Sequence, residues 1–137
     1  MLNGDLYVGF KEPQLDNDDS VIVRIPDVNR LFEKQGKQSS VQFFRKLRFP
    51  EERHRLSDMT FVNGNLYVTT TRKKVDGGAF WSIGKTGAPE LVRSFPELRP
   101  EAVSYNPAQN VFMLGFDGGK NEPSHYMFVA GPRGAGE

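Results

Sequence analysis

The chain contains no cysteine, which excludes disulfides, thiolate zinc sites and a cysteine nucleophile. It also has almost no excess of charge: 18 Lys plus Arg stand against 17 Asp plus Glu, a formal net charge of +1. A dedicated nucleic-acid binder carries a basic face that releases counterions, so no nucleic acid is expected as a partner. The most basic region is Arg45-Lys46-Leu47-Arg48 followed by Arg53-His54-Arg55. Glu51 and Glu52 interrupt it, and it reads as solvated surface. No apolar run is long enough to span a bilayer. The start, Met-Leu-Asn-Gly-Asp, lacks the basic region and apolar stretch of a signal peptide. The expectation is a soluble chain of unassigned compartment.

What the chain does have is 14 Gly and 11 Phe, a composition that suits strands and turns. Leu6, Val8 and Phe10 alternate with Tyr7 and Gly9 just after Asn3-Gly4, which marks a strand behind a turn. Val21–Ile25 and Val41–Leu47 follow the same grammar. "MTFVNGNLYVTTT" predicts two strands hinged at Asn63-Gly64. "GAFWSI", "ELVRSF", "AVSYNPAQNVFMLGF" and "HYMFVA" complete the strands. One segment, Asp27–Gly36, predicts a helix of about two turns, with Asp27 as N-cap and Gly36 as stop.

The strands recur. "NGDLYVGF" at Asn3 is nearly repeated by "NGNLYVTT" at Asn63, and Val111-Phe112-Met113 aligns with Leu66-Tyr67-Val68 at a separation of 45. A period of roughly 40–50 residues with about four strands per unit is the signature of β-propeller blades, with a generic β-meander or sandwich as the other reading. The fold class expected is all-β: about three four-stranded antiparallel propeller-type blades, a partial or half propeller. The blades fall at about 3–50, 56–98 and 99–130, with a flexible tail at 131–137. The first blade lacks room for a strand before Asn3, and the third lacks one after "HYMFVA". Closed propellers use about four to eight blades. The chain is therefore expected to be part of a longer propeller, or to self-associate and close a six-bladed ring, or to be a truncated product with no function of its own.

"RPEAVSYNPAQNVFMLGFDGG" resembles the PEG-strand-turn-strand-DDG blade of bacterial six-bladed propellers, a group that includes NHL-type, gluconolactonase-type and phytase-like proteins. "NGDLYVGFKEP", "DSVIVRI" and "LSDMTFVNGNLYV" are similar to a bacterial propeller family of unknown function, whose blades read G-D-L-hydrophobic-G-L-R-x-P and later R-D-L-A. Here Lys11-Glu12 replaces the arginine before proline, and Ser57-Asp58-Met59-Thr60 replaces R-D-L-A. The resemblance covers most of the chain but about half a propeller. Its motifs specify fold and transmit no activity.

Propeller topology would gather residues at one face. Asp58 and Glu101, 43 residues apart, are expected at matching places in neighbouring innermost strands. Lys11-Glu12, Arg72-Lys73 and Asp117 would lie in the loops crowning that face. One reading is a ligand site in which Asp58 and Glu101 offer oxygens to Ca2+ or another divalent cation, Asp117 supports them, and Lys11 or Arg72 holds a substrate anion. The other is that Asp58 and Glu101 accept backbone N–H bonds, as turn acids do. The leading function is a non-catalytic binding or scaffold module. The alternative is a metal-dependent hydrolase of the lactonase or phytase-like kind.

Other motifs carry less. Gly84-Lys85-Thr86 is no phosphate loop, because Ala79 stands where glycine is needed and Pro89 where a helix would run. "GPRGAG" has no strand–helix unit around it, and Asp16–Asp19 lacks the later glycine and glutamate of a calcium loop and reads as a polar turn. His54 reads as a surface histidine between blades, and Phe80 and Trp81 as packing between them.

Overall fold

Asn63 and Gly64 both adopt positive φ, 51° and 78°, the backbone of a two-residue hairpin turn whose twist matches that of its strands. On either side run β4 (His54–Val62) and β5 (Asn65–Arg72), paired antiparallel from Val62↔Asn65 to His54↔Arg72. The computed structural model describes residues 4–15, 18–29, 33, 40–51 and 53–133. The other strands among them are β1 (Leu6–Gly9), β2 (Ser20–Ile25), β3 (Gln42–Leu47), β6 (Gly78–Ile83), β7 (Pro89–Phe95), β8 (Pro100–Asn106), β9 (Val111–Phe116) and β10 (His125–Ala130). They form three antiparallel sheets: β1-β2-β3, β4-β5-β6-β7 and β8-β9-β10. The outer sheets thus have three strands each and the middle one four.

The middle sheet is apolar on both faces. Leu66, Val68, Ala79, Trp81 and Ile83 pack toward the first sheet, against Ile22, Leu47 and Phe49. Tyr67 and Phe80, on the alternate positions, pack toward the third, against Val103, Phe112 and Leu114. Trp81 and Phe80 therefore fill the two inter-sheet layers as their sequence setting implies, and each is essentially fully buried. Burial of a side chain that large stabilises by about 2–3 kcal/mol. The sheets form an open stack rather than a closed ring.

Two details reset the sequence alignment. In β4 the register steps from Leu56↔Thr70 to Asp58↔Thr69, which leaves Ser57 as a bulge. In β8 it steps from Pro100↔Phe116 to Ala102↔Gly115, which leaves Glu101 as the bulge. Glu101 therefore corresponds to Ser57, and Asp58 to Ala102. The connecting loops also differ, two residues in Asn63-Gly64 against four in Pro107–Asn110. Second strands consequently align at 46, Val68 with Leu114, rather than at the 45 expected. A one-residue slip moves every side chain to the opposite face. It matters here, because Leu114 is buried while Met113 is 44% exposed on the outer face.

The helix expected at Asp27–Gly36 lies mostly outside the described residues. Asp27 itself has φ 48°, outside the extended range of an N-cap, and its N–H donates to Asp5 Oδ1 at 2.9 Å. Of the tail, Gly131 N–H donates to Asn110 O at 2.8 Å and Pro132 O accepts from Asn110 Nδ2 at 3.2 Å. Residues 134–137 lie outside the description. Among the described residues no helix is long and apolar enough to cross a membrane.

Candidate functional site

A bulged residue escapes the in–out alternation of its strand, and both bulges aim at the same place. Ser57 Oγ donates to Glu101 Oε2 at 3.2 Å and lies 3.4 Å from Thr71 Oγ1. Lys11, from the segment after β1, places Nζ 3.1 Å from the same Glu101 oxygen. Residues of the second and third sheets and of the segment after β1 thus meet at one carboxylate. Both charged side chains keep partial solvent access, 41% for Lys11 and 31% for Glu101. Beside Glu101 runs a groove of about 580 Å³ lined by Ala102, Gly115, Phe116, Asp117, Ser124 and His125. Asp117 fixes its own loop by accepting the Gly119 N–H at 2.9 Å.

Asp58 does not join this cluster. Its Oδ2 accepts the Val103 N–H at 2.8 Å and its Oδ1 the Met59 N–H at 2.9 Å. Val103 lies on β8, whose only strand neighbour among the described residues is β9, so Asp58 satisfies an edge amide that this ladder leaves over. This is the backbone-accepting role. Arg72 is also apart: it ends β5 opposite His54, and its N–H donates to Gly77 O at 3.0 Å. Lys73 N–H donates to Arg53 O at 2.8 Å, and Glu12 pairs with Arg55. That hydrogen bond and the Arg55 charge hold the Glu12 carboxyl below the usual range.

Both Asp58 oxygens are therefore taken by backbone amides, and the Glu101 carboxylate is paired with Lys11 and Ser57. Hard cations require six to eight oxygens at once for calcium. Among the described residues no three of His, Asp and Glu gather in a way that could hold a metal ion. Among the described residues, Asp58 and Glu101 do not by themselves make such a centre.

His54, expected on the surface, is buried at 2% exposure. β4 begins five residues before the apolar "MTFV" that announces it, so His54 is a strand residue facing the layer that holds Trp81. Its Nδ1 lies 2.6 Å from Thr70 Oγ1, which also accepts the Trp81 Nε1–H at 2.8 Å. Its Nε2 lies 3.0 Å from Glu51 Oε2. Desolvation pushes its pKa below the ordinary value, outweighing the Glu51 carboxylate that acts the other way. A cavity of about 540 Å³ opens beside it, lined by Asp18, Arg48, Phe49, Pro50, Glu51 and Arg53. Arg48 is engaged there by buried Asp19 through two bonds of 2.8 and 2.9 Å, which holds the Asp19 carboxyl below its usual range. The basic run is thus partly structural. The alternation His54, Leu56 was its one sequence signal.

Fold and site together define an all-β chain of three stacked antiparallel sheets with a polar cluster where the sheets converge. Compared with protein-family models, curated proteins and solved structures, the chain matches none.

Proposed function

We propose that the three sheets are blade-type units of a β-propeller and that the chain is a binding or scaffold module, with a small polar ligand held at the Glu101 groove. The observation that carries this reading is the meeting of Lys11 after β1, Ser57 on β4 and Glu101 on β8, beside a groove that also contains Asp117, Ser124 and His125. A carboxylate with one ammonium and one hydroxyl partner can exchange either for a ligand amine or hydroxyl without leaving a buried charge unpaired. The matching bulges at Ser57 and Glu101 support the blade reading.

The test is an amide NMR titration with a panel of small amines, polyols and carboxylic acids. Shifts should concentrate at Ser57, Glu101, Ala102 and Ser124 and disappear in Glu101→Gln. Shifts that ignore this substitution would remove the assignment. Calcium titration separates off the hydrolase alternative. A binding module is indifferent to it, whereas a metal site would show saturable binding abolished by Asp58→Asn together with Glu101→Gln.

A further inference from the structure

Each sheet has a front, turned to the sheet that follows, and a back, turned to the one before. The front of the first sheet, with Tyr7 and Ile22, covers Val68 and Trp81 on the back of the second. The front of the second, with Tyr67 and Phe80, covers Phe112 and Leu114 on the back of the third. Among the described residues, two faces are left over. On the front of the third sheet, Met113 stands directly opposite Phe128, and Tyr126 stacks edge-on to Phe128 at 5.6 Å. Their exposures are 44%, 59% and 70%. On the back of the first sheet, Val8, Val23 and Phe43 form one cross-strand row, with Phe43 67% exposed. That row occupies the register of Val68 and Trp81, which the preceding sheet covers in the middle of the stack.

We propose that two copies of this chain associate head to tail, the third-sheet front of each packing on the first-sheet back of the other, and that the pair closes as a ring of six sheets. Both halves of the contact are on one chain, and they continue the front-on-back packing that already joins its sheets twice. An apolar front and a different apolar back make a heterologous contact, which must close or grow without limit. Six sheets lie within the range at which stacked blades close. The inference rests on the blade reading but not on the ligand groove, and its experiment reads mass alone.

Size-exclusion chromatography with light scattering across a concentration series is expected to plateau at twice the chain mass of 15.5 kDa. Phe128→Glu and Phe43→Glu should each run at the single-chain mass, with unchanged circular dichroism because both side chains are exposed. Mixed in equal amounts, the two variants should recover a dimer, since one unaltered front then meets one unaltered back. A wild-type monomer at every concentration overturns the proposal, the faces then serving other sheets. So does a dimer that survives Phe43→Glu, which would mean two third sheets meeting face to face. A mass that climbs without plateau excludes the closed ring.

Discussion

At the scale of the residue, the distances around His54 favour one arrangement of protons. A carboxylate only accepts, so Nε2 carries a hydrogen toward Glu51. Thr70 Oγ1 already accepts from Trp81, and its own hydrogen is best used toward Nδ1 at 2.6 Å, the alternative acceptor Ala79 O being 3.5 Å away. That arrangement leaves His54 neutral, in keeping with its lowered pKa. The unfolded chain, with an ordinary histidine near 6.5, takes up this proton at a higher pH than the folded one. Stability should then be full above that value and fall as pH drops below it. Urea midpoints at pH 7.5 and 5.5 are expected to show the loss in the native chain and a flatter response in His54→Gln. An equal slope in both would assign it to other groups. The carboxyls of Asp5, Glu12 and Asp19 lie below their usual range, so their contributions are lost only at lower pH.

At the scale of the element, two glycines serve different ends. Gly64 supplies the positive φ of the β4–β5 turn, and nothing lies within 4 Å of where its Cβ would be. Gly78 begins β6, and a Cβ there would sit 2.1 Å from Thr70 O and 2.6 Å from Pro100 Cδ. Neither can yield without moving a strand. Gly78→Ala should destabilise by about 1–3 kcal/mol, as overpacking does, and urea melts should show a lower midpoint at unchanged slope. Gly64 could be placed from the sequence because turn chemistry is local. Gly78 could not, because the atoms that exclude a side chain come from β5 and β8.

For the whole molecule, the middle sheet is the most buried part, with β5 and β6 covered on both faces. Local opening costs most where apolar cover is thickest. In dilute protein, amides of β5 and β6 should exchange with deuterium slowest, and those of β10, whose outer side is open, among the fastest. Comparable protection in β10 and β6 would contradict this layering.

The sequence by itself determined the strands, their order and the Asn63-Gly64 hairpin, because alternation and turn propensity act between near neighbours. It also brought Lys11, Glu101 and Asp117 forward as residues of one region. Which of the acids meet was decided only in three dimensions. A bulge and two extra loop residues exchanged Asp58 for Ser57 as the counterpart of Glu101 and turned Met113 outward. Lys11 and Glu101 meet across 90 residues of chain, Ser57 and Glu101 across 44, and His54 and Thr70 across 16. Contacts at such separations depend on how sheets stack, and that depends on which face each side chain takes once the register is set.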